Sequence, residues 1–189
     1  MNSKLLTGIA VAAVIAVVGA WAAAPVFAGQ ALIRAAKAGD ADKLEQLVDF
    51  PALRASMKDE LGRELARRIR EDPRVADSGL GGLGYVLAPM VLSGAVDTLI
   101  TPEVVAQMVT TAEAPDPTDD ETREREPDAA DRRDDRDIHQ SWGYRNLDQF
   151  AVTLTDRDQP DQHLALILER RGLFNWKLAA IDLQADQGA

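Results

Sequence analysis

Cysteine is absent, histidine occurs twice, and aromatic residues make up 5% of the 189 positions. Without thiols there can be no disulfide, no thiol nucleophile and no thiolate zinc site. His139 and His163 are read as lying on opposite sides of a strand and a loop, with no spaced acid to complete a ligand set. No metal is expected. Basic side chains are also scarce, 21 against 31 acids, for a formal net charge of −10. That balance argues against nucleic acid as a partner, because phosphate binding needs a concentrated lysine and arginine face. Cofactor motifs fail on inspection. Gly79-x-Gly81-x-x-Gly84 has dinucleotide spacing, but the polar segment before it contains Pro73 and delivers no strand. Asp156-x-Asp158 would need glycine at position 161 and glutamate at 167 for a calcium loop, and Asp161 and Ile167 stand there. No cofactor is expected.

What the chain does contain is an uncharged run at its amino end, Leu5–Ala24, LLTGIAVAAVIAVVGAWAAA. As a helix rising 1.5 Å per residue it would span about 30 Å, the hydrocarbon thickness of a bilayer. Trp21 stands near the far end, where an indole favours the headgroup layer. Residues 1–28 therefore read as a signal-anchor, and the membrane, through residues 5–24, is the expected partner. The run exceeds the usual apolar stretch of a cleaved signal, although Val26-Phe27-Ala28 before Gly29 would serve as a cleavage site and leave a secreted protein. Lys4 and the α-amine predict the amino end in the cytoplasm. The expected location is a single-pass inner membrane protein with its carboxyl-terminal domain periplasmic.

Residues 29–112 read as the helical half of the domain. Gln30–Ala38 is expected as a short helix closed by Gly39, with Asp40 capping the next, Ala41–Val48. Phe50-Pro51 opens a longer helix whose Leu53, Met57, Leu61, Leu65 and Ile69 form an apolar stripe. A loop rich in glycine should lead to a largely apolar, buried helix at about Leu83–Ile100. Thr101-Pro102-Glu103 is a start signal, with Val104, Val105, Met108 and Val109 facing inward. The segment 113–139 reads as an acidic disordered loop: Glu113–Asp137 holds 12 acids, 5 arginines and no aromatic residue. Residues 140–184 alternate with period two through Phe150, Val152, Leu154 and again Leu164, Leu166, Leu168. Trp176 and Leu178 are then out of phase with Ile181 and Leu183, which predicts a bulge near Ala179-Ala180. An antiparallel meander of at least three strands follows, with 185–189 a disordered tail. The fold class is α+β, the helices packed on one face of the meander.

Four strings carry a resemblance: Val48-Asp49-Phe50-Pro51-Ala-Leu53-Arg54-Ala-Ser56; Thr101-Pro102-Glu103; Tyr144-x-x-Leu147-Asp148-x-Phe150; and Leu166-x-Leu168-Glu169-Arg170-x-Gly172-Leu-Phe174-x-Trp176-x-Leu178-x-x-Ile181. Together they resemble the uncharacterised bacterial domain of unknown function 2939, over about Pro25 to Leu183. That family commonly has a hydrophobic amino terminus and brings no established activity to transfer. At fold level the order of elements is similar to the nuclear-transport-factor-2-like, or cystatin-like, cone, although the strand usual between its helices is not evident.

The candidate binding residues are Asp49, Arg54, Ser56 and Asp148, with Asp182 near a strand. No catalytic residue is assigned. Asp49 is placed to cap a helix, Arg54 to pair with a carboxylate such as Asp49 or Asp148, and Ser56 to bond the preceding turn. Glu169-Arg170-Arg171 reads as a solvated strand end. Two functions fit these residues. One is a membrane-tethered, non-enzymatic binding or assembly module for an unidentified protein or small molecule, using the meander's concave face or the acidic loop; a cone plugged by Trp176, Phe150 and the apolar helix would favour it. The other is an isomerase- or hydratase-like enzyme whose single buried aspartate acts as general base.

Overall fold

The computed structural model describes residues 3–71, 94–112, 138–156 and 163–182. The expected acidic loop Glu113–Asp137, the Asp156–Asp161 turn beyond its first residue, the tail and most of the Leu83–Ile100 helix lie outside them. The first element, α1, is one helix from Ser3 to Ala38. A separate helix at Gln30–Ala38 was expected, but Ala22–Ala24 before Pro25 are strong helix formers and the helix carries through. Proline removes the N–H that would bond the Trp21 carbonyl and leaves the rest of the ladder intact.

The two ends of α1 differ in surroundings. Ile9, Val14 and Ile15 are 62–66% exposed, whereas Leu32, Ala35 and Ala36 are buried. Small residues let the second half approach the sheet closely. A Cβ on Gly29 would sit 2.6 Å from the Trp142 ring and 3.2 Å from Val152. Gly39 then ends the helix at φ +62°, a left-handed conformation that suits glycine. Its N–H bonds the Ala36 carbonyl at 3.1 Å and Asp40 N–H bonds that of Ala35 at 3.0 Å, a Schellman closure.

Asp40 caps α2, Ala41–Leu47, by accepting from the Lys43 N–H. Val48 leaves the helix in extended conformation and bridges Leu178 in parallel, and Asp49 N–H donates to the Leu178 carbonyl at 2.8 Å. Two residues thus lengthen the sheet at its edge before α3, Phe50–Glu71, begins. Leu53 and Met57 of the apolar stripe are buried. After a helical turn at 94–99 with Val96 and Ile100 buried, Thr101 caps α4, Pro102–Thr111, as its sequence predicts. Val105, Met108 and Val109 face the core, and Val104 is half-buried.

Four antiparallel strands complete the α+β fold in the order β1-β2-β3-β4: Ile138–Asn146, Gln149–Asp156, His163–Arg170 and Trp176–Asp182. Phe150, Val152 and Leu154 of β2 are buried in the expected alternation and Leu164, Leu166 and Leu168 of β3 are buried too, but β3 does not alternate, because Ala165 and Ile167 on its other face are also buried. Ile167 pairs with Ala180 and Leu168 with Leu178, so Ala179 is the extra residue of a bulge. That insertion lets Trp176, Leu178 and Ile181 all point inward. β1 starts at Ile138, inside the stretch expected as loop, because Ile138, Gln140 and Trp142 half-bury one face of an otherwise polar edge strand. Arg145 of β1 and Asp182 of β4 form an ion pair at 2.9 Å. Flat strands spaced about 4.8 Å apart would hold those two edges about 14 Å from one another. The sheet is therefore curled.

Candidate functional site

The Val48–Leu178 bridge puts Asp49 where the start of α3, the β4 edge and the β3–β4 turn meet. Its Oδ1 accepts from the Ala52 N–H at 3.2 Å, capping α3, and its Oδ2 accepts from Arg171 Nε at 2.9 Å. Arg171 Nη1 also donates to Glu169 at 2.9 Å. Partial burial pushes the Asp49 carboxyl up, but the Ala52 N–H, the Arg171 bond and charge, and the charge of Lys177 outweigh it and hold the group below its ordinary value. A proton-abstracting base needs the opposite. Because the folded value is depressed, the stability this group contributes is present above the unfolded value, about 3.9, and lost as pH falls through the folded one. Asp49→Asn keeps a cap and loses the charge pair. It should cost about 0.5–1 kcal/mol at pH 7, kept small by solvent at this half-exposed pair. The difference should shrink in urea titrations as pH falls below about 3.9; a gap undiminished there would refute the charge assignment.

Arg54 was expected to reach a carboxylate, and among the described residues it meets a backbone carbonyl instead. Its Nη2 donates to the Ile100 carbonyl at 2.8 Å, closing the end of the 94–99 turn, and its guanidinium lies 5.5 Å from the Phe50 ring centroid. The acids named as partners are taken by other arginines, Asp49 by Arg171 and Asp148 by Arg170. Arg54→Ala should destabilise the fold by about 1–3 kcal/mol through the unpaired Ile100 carbonyl, with partial rescue in Arg54→Lys. Coincident urea curves for wild type and the alanine variant would contradict that role.

Ser56 does not bond its own preceding turn. Its Oγ donates to the Ile181 carbonyl at 3.4 Å and accepts the Ile181 N–H at 3.3 Å, which joins α3 to the edge of β4. Asp148 sits exposed in the β1–β2 turn, 3.1 Å from Arg170 Nε. Of the clefts among the described residues, one at the start of α3 is lined by Asp49 with Arg171 and Lys177, and Arg54, Ser56 and Asp148 line none of them. Asp49 and Asp148 are linked only through consecutive arginines at the end of β3.

His139 and His163 also differ from expectation. Thr155 pairs with His139 on one side and His163 on the other, so the three form one row across β1, β2 and β3. The Thr155 hydroxyl is 2.9 Å from His163 Nδ1. No group of three metal-ligating side chains occurs among the described residues. The buried acid among them is Glu60 of α3, which Arg63 meets at 2.9 Å.

Sequence reasoning missed Arg170, read as part of a solvated strand end. Its side chain is 14% exposed and its guanidinium is stacked between Trp21, 4.2 Å from the centroid, and Trp176, 4.7 Å away. Nη2 donates to the Leu147 carbonyl. Tyr144 stands edge-on to Trp176 and Phe150 and donates its hydroxyl to the Ala22 carbonyl at 2.8 Å. Burial raises the Tyr144 phenol more than the Arg170 charge lowers it, so the proton stays for that bond. This knot ties the middle of α1 to the β1–β2 and β3–β4 end of the sheet. At the opposite end of the domain α1, α2, α4 and β1 enclose an open cleft of about 580 Å³. Ile33, Leu44, Ala106, Val109 and Ile138 line it, with Lys37 and Glu103 also present.

A family profile described as "Protein of unknown function (DUF2939)" matches residues 14–108. The chain belongs to that family. The DUF2939 match begins within the apolar run of α1 and ends in α4, so it includes the Val48–Ser56 and Thr101–Glu103 strings, while the two strand strings lie beyond it. No curated protein and no solved structure matches the chain, and the likeness to a nuclear-transport-factor-2-like cone is not confirmed.

Proposed function

We propose that this DUF2939 protein is a membrane-anchored, extracytoplasmic binding module without catalytic activity. The carrying observation is α1 itself: one helix whose first half exposes Ile9, Val14 and Ile15 and whose second half, with Leu32, Ala35 and Ala36, belongs to the domain core. A helix of 32 residues, Thr7–Ala38, is long and apolar enough to cross a bilayer. Cleavage after Ala28 would cut it where it packs on the sheet. Lys4, on the side of the apolar run away from the domain, favours that side in the cytoplasm. A non-enzymatic role is favoured by the pairing of Asp49, Asp148 and Asp182 with Arg171, Arg170 and Arg145. The 580 Å³ cleft, at the end of the domain away from the apolar run, is where a ligand or partner segment would bind.

The full-length protein should pellet from alkaline carbonate at its complete mass. Val14→Asp with Ile15→Asp should release it, each charge at mid-span costing about 2.5–3.5 kcal/mol. A mature chain beginning at Gly29 would overturn the anchor. For binding, a photo-crosslinker at Ala106 in the cleft should give an adduct in intact cells that one at Ser141 does not. Equal labelling at the two positions would sink the binding reading.

A further inference from the structure

Outside α1, the large apolar side chains exposed among the described residues are Tyr144 (43%), Leu147 (70%), Leu173 (64%) and Phe174 (47%). All four stand at one end of the sheet. Tyr144 lies near the end of β1 and Leu147 in the β1–β2 turn, and Leu173 and Phe174 lie between Arg171 and Asn175, whose backbone bond at 2.8 Å closes the β3–β4 turn. This is the end at which α1 emerges, because Arg170 stacks on Trp21 and Tyr144 bonds Ala22. Gly29 meets Trp142 and Ile33 shares the cleft wall with Ile138, so α1 runs antiparallel to β1 and its apolar half projects beyond the two turns.

Helix length then sets the height of the turns. From Leu5 to Ala20 there are 16 residues, or about 24 Å of helix, whereas the hydrocarbon layer is about 30 Å thick. The far boundary of that layer therefore falls at the level of Trp21 to Ala24, beside Arg170 and the turns. We propose that the two turns are a lipid-contacting foot: Leu147, Leu173 and Phe174 enter the boundary between headgroups and acyl chains and seat the domain on the membrane that its own helix crosses. The inference rests on the anchor reading and goes beyond it, since a tethered domain need not touch lipid. Continuity with α1 decides for lipid over a second protein. A partner at this face would have to share it with the headgroups that surround Trp21. An arginine between two indoles and a tyrosine beneath them suits that layer, where amphipathic rings and guanidinium groups concentrate.

The chain has no cysteine, so single positions can be labelled in the full-length protein. Leu147→Cys and Leu173→Cys, each carrying a nitrobenzoxadiazole dye, would be reconstituted in phosphatidylethanolamine–phosphatidylglycerol vesicles. Ile15→Cys would report the span. Ala38→Cys lies 17 residues past Trp21, about 25 Å along the helix, and would report water. Lipids with a nitroxide near the headgroup should quench the Leu147 and Leu173 labels at least about twofold more than the Ala38 label, as insertion to about 5–10 Å requires. Turn labels as unquenched as Ala38, with Ile15 quenched, would overturn the foot and leave the anchor standing. An Ile15 label left unquenched by lipids that carry the nitroxide near the end of the acyl chain, which reach the mid-span, would overturn the anchor and the foot with it. Turn labels shielded from aqueous iodide yet untouched by nitroxide lipid would mean that protein covers this face, which also refutes the foot.

Discussion

A soluble chain that starts at Gly29 is expected to be less stable by about 3–5 kcal/mol than one that starts at Trp21, the range for losing a packed piece of core. The residues between them include the buried Ala24 and the half-buried Val26 and Ala28, which pack against the core. Trp21 also stacks on Arg170, and Ala22 supplies the carbonyl that satisfies the Tyr144 hydroxyl. Removing them strips one face from Arg170 and leaves Tyr144 without its acceptor. Deleting only residues 1–20 removes side chains such as Val11 and Val17, which are more than half exposed, and should change stability by less than about 1 kcal/mol. Urea titration of the two chains measures the difference. Equal midpoints would mean that α1 is a tether only from Gly29 backward, and that the Trp21–Arg170 contact carries no energy.

Arg170→Ala should cost about 2–4 kcal/mol. Two ring contacts are each worth about 0.5–2 kcal/mol depending on desolvation, and a hydrogen bond from a charged group about 1.5–3. The sum is reduced because the Asp148 carboxylate is 79% exposed and water can take over its charge. Arg170→Lys should recover less than half, since an ammonium cannot lie flat between Trp21 and Trp176 while reaching the Leu147 carbonyl. The change should also appear in tryptophan fluorescence. An alanine variant with wild-type stability and an unshifted emission would show that the stack is decorative.

The protein's local punctuation and broad plan followed from its sequence alone. Gly39-Asp40 and Thr101-Pro102 were readable as helix boundaries because a cap is decided by groups within one or two turns of one another. The period-two runs of β2 and β3 and the phase slip at Ala179 were readable for the same reason: side-chain alternation is built into a strand. What lay beyond local reading was partner choice. Arg171 holds Asp49 across 122 positions only because Val48 bridges Leu178, and Arg54 turns to the Ile100 carbonyl because α3 runs past the end of the 94–99 turn. Pro25 and Gly29 looked like the end of an anchor. Packing on Trp142 and Val152 instead makes them the middle of a helix shared by the apolar run and the domain core. Pairings of that kind depend on sheet register, curl and helix crossing, which many distant residues set together, and no short window of sequence contains them.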